Sequence, residues 1–423
     1  MPNVEKNEKN EKNEKIKQSL KATRKKRKSQ VCTVYELKIN ERKLTSKQLT
    51  SLKMMFVEGK WFWNSIISFT ENNNIKDFDI KEKTVKHFDK DHNEIISEYK
   101  HLSQQSKDGI LKTFISNCKT LSTLKKKGKK VGRIGYKKDQ TTIPYKQYGV
   151  SHKIVGKNKF KLQKIGTVYV HGLEQFIYDS KVEYADCKLV KKPSGYYIHL
   201  TTFKNKENID KANFKTIGID LGISTSITTS ERQKIDILVQ EPERLKRLQR
   251  KLQRQEKNSK NRYKTRLKIQ KEYEKMTNKK NDLANKIVHD LTDEKICVMQ
   301  DEQISKWKHQ FGKKIQHSVL GRVKQKLMNN PNCVVISSTL PTTKVCRNCG
   351  KYHDEMTLND RVFRCDCGVE EDRDIHASKN MIFFYKNNIG VGRTKFKHVE
   401  IEAQILEAIS KFAQSGKHEA STL

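Results

Sequence analysis

Thr216-Ile-Gly-Ile-Asp220-Leu-Gly222-Ile-Ser-Thr-Ser-Ile-Thr228 is the stretch that decides the fold, because it predicts a buried strand with one acid in its middle. An ionised carboxylate in an apolar strand is costly unless a cation offsets its desolvation, and a divalent metal ion is the obvious partner. Gly222 directly after it leaves room for a phosphate or a metal-bound water. A nucleotide-binding strand and turn also contains Asp-x-Gly, so this stretch alone leaves two hypotheses open.

Two further acids follow core elements far along the chain. The apolar run 295–300 predicts a second buried strand, and Glu302 comes just after it, where open sheets place their ligands. Asp374 stands where a helix should begin, in the segment 370–380. Three such acids can converge on two Mg²⁺ ions about 3.5 to 4 Å apart, the arrangement that hydrolyses phosphodiester bonds. Taken singly, Glu302 could be a surface residue and Asp374 a helix N-cap.

Nine cysteines are an odd number, and four of them form two knuckles with 15 residues between them: Cys346, Cys349, Cys365 and Cys367. Four thiolates can surround Zn²⁺ tetrahedrally, and a glycine after each knuckle permits the tight turn. The second knuckle is one residue shorter than the usual Cys-x-x-Cys, so His353 is a possible substitute ligand. With four protein ligands the zinc would be structural; buried free thiols are the alternative.

The net charge indicates a polyanionic partner. Lys and Arg number 88 against 49 Asp and Glu, a formal charge of +39, and residues 1–30 hold only 11 of those cations and 4 Glu. A protein this basic repels itself unless a polyanion, usually nucleic acid, neutralises it; a solvated lysine-rich surface is the alternative. No apolar run approaches the roughly 18 to 20 residues of a membrane span. We therefore expect a soluble, non-exported protein with no membrane partner.

The most basic segment is 125–138, in which glycines are interleaved with cations. Glycines let the backbone approach a phosphate chain closely while the cations neutralise it, although a flexible solvated loop is also possible. Trp61 and Trp63 could stack on bases, but aromatic residues in a helical pattern more often belong to the core. The candidate nucleic-acid-binding residues are Lys125, Lys126, Lys127, Lys129, Lys130, Arg133, Lys137 and Lys138.

Hydrophobic periodicity divides the rest of the chain. Alternation in 31–39 and repeatedly in 141–204 predicts a small β-barrel, and helical spacing from 45 to about 123 predicts a helical region inserted into it. Residues 241–291, dense in Lys, Arg, Gln and Glu, predict a long helical hairpin. The tail 1–30 has few apolar side chains, which predicts disorder or a fraying helix.

In this order, the motifs resemble TnpB, the transposon-encoded RNA-guided DNA nucleases, and more distantly the compact type V CRISPR effectors and Fanzor proteins. Gly-Ile-Asp220-Leu-Gly is similar to the first motif of their RuvC domain, the strand ending in Glu302 to the second, and Asp-Arg-Asp374-Ile-His-Ala to the third. The knuckles are similar to the zinc ribbon that precedes the third motif. The second motif usually has a lone Glu followed by Asn or Asp and then Leu, so Asp301 competes with Glu302 here.

The resemblance implies an α/β multidomain fold: an RNase H-like (RuvC) nuclease domain with a zinc-ribbon insertion, and a β-barrel wedge domain with an inserted helical recognition domain. The implied ranges are 1–30 for the basic tail, 31–44 and 141–213 for the wedge barrel, 45–140 for the recognition domain and basic loop, 214–340 and 369–392 for the RuvC domain, 341–368 for the zinc ribbon, and 393–423 for a C-terminal helix or tail.

For function, the resemblance implies an RNA-guided DNA endonuclease in which Asp220, Glu302 and Asp374 hold two catalytic Mg²⁺ ions and the cysteines hold a structural Zn²⁺. Its partners would be a guide RNA from the transposon end and double-stranded target DNA beside a short target-adjacent motif. A monomer is expected, in the prokaryotic cytoplasm near the nucleoid or in the nucleus of a eukaryotic host. Two alternatives remain: a guided repressor that no longer cuts, and a DNA-only transposase or resolvase-like nuclease.

Overall fold

Residues 14, 18–88, 93–206, 211–357, 359–391, 404, 405, 407, 408 and 410 are described in the computed structural model. The chain divides into two units, Met1–Asn208 and Ile209–Leu423. Of the predicted basic tail, residues 18–28 form a helix, and 1–13 and 15–17 lie outside the described residues, as does most of the predicted C-terminal segment 393–423. The predicted domain ranges stay predictions.

The first unit begins with a strand, places two long helices after it, and continues with strands. Its elements are β1 (Gln30–Ile39), α1 (Ser46–Asn72), β2 (Thr84–Phe88), β3 (Glu94–Glu98), α2 (Gln104–Lys126), β4 (Thr142–Tyr145), β5 (His152–Gly156), β6 (Lys159–Leu162), β7 (Gly166–His171), β8 (Glu183–Lys192) and β9 (Gly195–Asn205). The hairpin β2–β3 falls inside the region predicted to be helical. Its strands alternate around largely exposed side chains, so they carry little of the burial signal that the prediction used.

Seven strands of this unit form one antiparallel sheet in the order β4-β8-β9-β1-β7-β6-β5. One buried core joins the inner face of the sheet to both helices, as Leu37, Met55 and Ile110 illustrate. No ladder between the described residues joins β4 to β5. Two long helices lie between β1 and β4 of this seven-stranded sheet, as the wedge-barrel hypothesis expects. The hypothesis itself stays a prediction.

One helix cap and one buried carboxylate order the two long helices of this unit. Thr45 and Gln48 form a capping box at the start of α1. The buried carboxylate of Glu58 on α1 accepts hydrogen bonds from the amides of His101 and Leu102, at 2.7 to 3.1 Å, just before α2. These contacts tie the two helices together through a charged acceptor inside the core.

The second unit is a mixed sheet covered by helices. Its elements are β10 (Lys215–Leu221), β11 (Ile227–Thr229), β12 (Lys234–Ile235), α3 (Glu243–Arg254), α4 (Lys260–Thr292), β13 (Lys295–Gln300), α5 (Ile304–His317), α6 (Leu320–Met328), β14 (Cys333–Ile336), β15 (Val362–Arg364), β16 (Glu370–Asp372) and α7 (Arg373–Lys386). The predicted helical hairpin is present as α3 and α4, and both predicted buried strands are present as β10 and β13.

The five-stranded sheet of this unit has the order β12-β11-β10-β13-β14. β10 lies in its centre, antiparallel to β11 and parallel to β13. Ile217, Ile219 and Met299 are buried, which is why these strands are almost continuously apolar in sequence. The α/β class is the predicted one, whereas the RNase H-like assignment stays a prediction.

Among the helices that the structure describes, none combines the length and apolar character that a membrane span requires.

Candidate catalytic and metal sites

Asp220 lies near the end of the central strand β10, opposite Thr228 of β11. Burial raises the pKa of its carboxyl group, the negative charges of Asp374 and Glu302 raise it further, and Arg373 and the Leu221 amide oppose the rise; the resulting pKa is about 7. The fold therefore brings the three predicted acids close enough for two of them to act electrostatically on the third.

Asp374 lies in the first turn of α7. Asp372 is the N-cap of that helix, because its carboxylate accepts hydrogen bonds from the amides of Asp374 (3.0 Å) and Ile375 (3.1 Å). The alternative that Asp374 is the N-cap is therefore wrong. Its carboxylate instead accepts hydrogen bonds from Nη2 (3.2 Å) and Nε (3.4 Å) of Arg373.

Gly218, the first residue of the Gly-Ile-Asp220-Leu-Gly motif, explains how α7 reaches Asp220, a role that the motif alone did not indicate. A Cβ atom on Gly218 would lie 1.7 Å from the carbonyl oxygen of Ser378, so α7 packs backbone to backbone on β10 at this point. Only glycine permits that approach, two residues before Asp220. The available signal was a glycine inside a strand of otherwise bulky residues, which often marks a close backbone contact.

Glu302 and Asp301 follow β13 and differ in their partners. Nζ of Lys324 lies 2.8 Å from Oδ1 of Asp301 and also donates to the backbone carbonyl oxygen of Glu302, rather than to its carboxylate. Burial raises the pKa of Glu302. Because Asp301 already has a cationic partner and Glu302 is the acid that acts on Asp220, the geometry favours Glu302 over Asp301 as the member of the site.

Gly222 has a local role. A Cβ atom there would lie 2.6 Å from the carbonyl oxygen of Thr225, and the Gly222 amide donates to the carbonyl of Ser226 at 3.2 Å. The tight turn between β10 and β11 thus requires glycine by itself, without the phosphate or metal-bound water that the sequence pattern suggested.

The four predicted cysteines come together. Among the described residues they are the one set of three or more His, Cys, Asp or Glu side chains whose ligand atoms all lie within 4.8 Å of one another. Sγ of Cys346 is 3.5 Å from that of Cys367, and Sγ of Cys349 is 3.5 Å from that of Cys365. Tetrahedral zinc with bonds of about 2.3 Å needs sulfur separations of roughly 3.8 Å, so the donor set suggests a structural zinc site.

Each knuckle closes on its own backbone. The amide of Gly350 donates to Cys346 and that of Gly368 to Cys365, both at 2.9 Å, and both glycines have a positive φ. The short second knuckle therefore still presents its two thiols. His353 is not a member of the thiol cluster; its Nδ1 lies 2.8 Å from Glu355, and its ring packs edge-on against Phe363.

The three carboxylates, all of them described residues, do not form such a tight set. Asp374 and Glu302 lie near enough to raise the pKa of Asp220, but their like charges also oppose close approach, and Arg373 donates to the Asp374 carboxylate. The donor chemistry nevertheless fits a hard divalent cation, since all three side chains offer carboxylate oxygens.

The basic segment 125–138 begins at the end of α2 and continues without regular structure. Most of its side chains are exposed, but Nζ of Lys137 lies 3.3 Å from the centre of the Trp63 ring and 2.9 Å from Oε1 of Gln140. Trp63 is 2% exposed and Trp61 stacks on His87, so neither ring is a free stacking platform. Lys137 thus has an internal structural contact that no sequence pattern indicated.

Two family models match the part of the chain that contains the three acids and the four cysteines. Residues 200–305, which contain Asp220 and Glu302, match a family model described as "Probable transposase". Residues 322–381, which contain the four cysteines and Asp374, match one described as "Cas12f1-like, TNB domain".

Two individual proteins are also similar. A "Putative RNA-guided DNA endonuclease" of Streptomyces pristinaespiralis is 41% identical over 49 residues, 12% of this chain and 12% of that relative. The solved "Cryo-EM structure of the Cas12f1-sgRNA-target DNA complex" aligns with 79% of this chain and 82% of its own, at a TM-score of 0.44 and 12% identity. The two family matches confirm the resemblance to TnpB and its compact type V relatives.

Proposed function

We propose that this protein is a transposon-encoded, RNA-guided endonuclease that hydrolyses phosphodiester bonds of target DNA beside a target-adjacent motif. The observation that carries the proposal is the Asp220 carboxyl group, whose pKa of about 7 reflects burial beside Asp374 and Glu302. Such a cluster of acids destabilises the fold when no cation is bound. Carboxyl groups with strongly shifted pKa values are typical of catalytic centres. The two family matches and the Streptomyces relative support the same activity.

In this proposal Asp220, Glu302 and Asp374 hold the catalytic metal. When bound, two Mg²⁺ ions activate the attacking water and neutralise the leaving oxygen of the phosphodiester. The chain's own residues prepare that site: Gly218 lets α7 pack on β10, Arg373 donates to the Asp374 carboxylate, and Lys324 pairs with Asp301 and donates to the backbone carbonyl of Glu302.

Two basic surfaces suit the backbones of a guide RNA and its DNA target. One is the exposed part of the segment 125–138. The other is a stripe on α3 that borders a cavity of about 360 Å³ and consists of Arg247, Arg250, Lys251 and Arg254. Their spacing of three, four and seven residues puts them on one helix face, and no described acidic residue forms a salt bridge with any of them. Unpaired cations on a rigid helix are suited to neutralising successive phosphates.

The first experiment uses the protein purified with co-expressed RNA from the flank of its gene. Wild type, Asp220→Asn and the control Glu231→Gln, which changes an acid paired with Lys215, are incubated with Mg²⁺ and a plasmid bearing a matching target. We expect cutting by wild type and control and none by Asp220→Asn. Equal cutting by all three proteins would overturn the catalytic assignment.

Sequencing the co-purified nucleic acid separates the alternatives. One abundant RNA from the gene's own flank supports the guided activity, whereas random fragments support a DNA-only transposase. Target occupancy without nicking by the wild type would identify a guided repressor. Cytoplasmic or nuclear action and a monomeric state belong to the same proposal.

A further inference from the structure

Side chains on the inner face of α7 make hydrogen bonds to the backbone just before the first zinc knuckle. Asn380, fully buried, donates from Nδ2 to the carbonyl oxygens of Thr342 and Val345, both at 2.7 Å. His376, also fully buried, lies with Nε2 2.8 Å from the same Val345 oxygen. Val345 immediately precedes Cys346, so the helix that carries Asp374 is fastened next to a zinc ligand.

A buried ion cluster strengthens this junction. The guanidinium of Arg347, inside the first knuckle, donates through Nη1 to Oε1 of Glu371, and Nζ of Lys379 donates to Oε2 at 2.7 Å. The Glu371 side chain is only 10% exposed. Burial alone would raise the pKa of Glu371, but the hydrogen bonds from Arg347, Lys379 and His376 lower it to about 2. Glu371 is therefore ionised and held from three directions.

His376 contacts both partners of this ion pair. Its Nδ1 lies 2.9 Å from Oε1 of Glu371 and 3.1 Å from Nη1 of Arg347, while Nε2 faces the Val345 carbonyl oxygen. The ring stacks on Phe363 of β15 with centroids 3.6 Å apart. Arg347 thus links the knuckle to both β16 and α7 through one nitrogen, Nη1.

Glu371 precedes the N-cap Asp372 and stands three residues before Asp374, so any shift of Glu371 moves the start of α7. The contacts with Arg347 and Lys379 constrain the position of Glu371, because without this acid two neighbouring cations would lose their shared counter-ion. The carboxylate of Asp374, by contrast, accepts its hydrogen bonds from its neighbour Arg373.

We propose that the pair Arg347–Glu371 is a positioning device through which the zinc ribbon sets the start of α7 and the place of the Asp374 carboxylate in the metal site. The proposal rests on the proposed nuclease function. It assigns Glu371 and Arg347 as positioning residues that touch neither substrate nor catalytic metal.

The test compares Glu371→Gln with the control Asp366→Asn. The control breaks the Lys351–Asp366 ion pair in the same ribbon, where the Asp366 side chain is 81% exposed. For each protein, RNA-bound and zinc-loaded, we would measure single-turnover cleavage against Mg²⁺ concentration, and zinc content by atomic absorption. We expect Glu371→Gln to retain zinc, to cleave about tenfold more slowly, and to need several-fold more Mg²⁺ for half-maximal rate. The control should match wild type.

The Mg²⁺ midpoint separates positioning from folding, because a misfolded fraction lowers the cleaved amount without moving the midpoint. Should Glu371→Gln fail to hold zinc, Arg347→Lys serves instead, since it keeps the charge and removes the guanidinium that contacts both Glu371 and His376; a smaller shift in the same direction is expected. A wild-type midpoint in whichever variant folds, together with an inactive Asp374→Asn, overturns the positioning role and leaves the nuclease function standing. Wild-type cleavage by Asp374→Asn would instead overturn the site on which the proposal rests.

Discussion

The cysteine cluster of the ribbon and the carboxylate site both consist of side chains that are able to ligate metal ions, and they are assembled in opposite ways. The ribbon gathers Cys346, Cys349, Cys365 and Cys367 through two turns whose own amides close on them, and all four thiols lie within 4.8 Å. The three acids of the carboxylate site lie on β10, just after β13 and on α7. They come near one another only when the sheet and the helix pack together.

This difference shows in the ionisation of the two clusters. In the ribbon, the amide of Val369 and then the side chain of Asn348 lower the pKa of Cys367 to about 6, although burial raises the pKa of Cys346 to about 12. At the carboxylate site, burial and like charges raise the pKa of Asp220 to about 7. The turn of the second knuckle supplies a stabilising amide donor to Cys367, whereas the carboxylate site is under electrostatic repulsion.

The largest expected effect follows from breaking the ribbon. Cys367→Ser should remove the zinc and unfold the ribbon, because three thiolates hold the ion far more weakly than four and structural zinc contributes folding free energy. Zinc content by atomic absorption should fall from one per chain to nearly none. Cys118→Ser, which changes an exposed thiol in α2, is the control and should retain it. Full zinc in Cys367→Ser would show that the fourth ligand lies elsewhere.

Breaking the packing beneath the carboxylate site should have the next largest effect. Gly218→Ala forces α7 away from β10, since the new methyl group would meet the Ser378 carbonyl. Such overpacking costs about 3 kcal/mol or more, and Tm should fall by roughly 10 °C. Gly321→Ala, in α6, has no neighbouring atom within 4 Å and should leave Tm unchanged or slightly higher. Equal Tm values for the two variants would contradict the close contact.

The sequence predicts the local features of the molecule but not the contacts between distant residues. The cysteine spacing, the strands β10 and β13 and the helical hairpin α3–α4 are local patterns, and the structure contains them as predicted. The contact of Gly218 with Ser378, the pairing of Asp301 with Lys324 and the contact of Arg347 with both Glu371 and His376 join residues distant in sequence. Periodicity carries no information on such contacts, and a lone glycine or arginine has many possible roles.

The pH dependence of stability offers a smaller effect. The folded protein raises the pKa of Asp220 from 3.8 to about 7, so between these values it binds more protons than the unfolded chain and loses stability as pH rises. Asp220→Asn removes that loss. In magnesium-free buffer at about pH 8 the variant should therefore melt a few degrees above wild type, and the difference should shrink as the pH falls from about 7 toward 4. A variant less stable than wild type across this range would contradict the assigned repulsion.

The smallest effect concerns the basic stripe on α3. Arg247→Gln with Arg250→Gln removes two unpaired cations without touching the buried Leu245. The slope of log affinity for RNA against log salt should decrease by about 1.4 to 1.8, which is roughly 0.7 to 0.9 for each phosphate that is no longer neutralised. Lys246→Gln, on the same helix but paired with Glu243, is the control. An unchanged slope in the double variant would exclude the stripe from the RNA interface.

The most direct test of a shared metal site is Mn²⁺ binding, measured by electron paramagnetic resonance on the zinc-loaded protein. If Asp220, Glu302 and Asp374 hold common ions, Asp220→Asn, Glu302→Gln and Asp374→Asn should each lose the same bound Mn²⁺, whereas Asp301→Asn should keep it. Retention of wild-type Mn²⁺ binding by all three single variants would contradict the account.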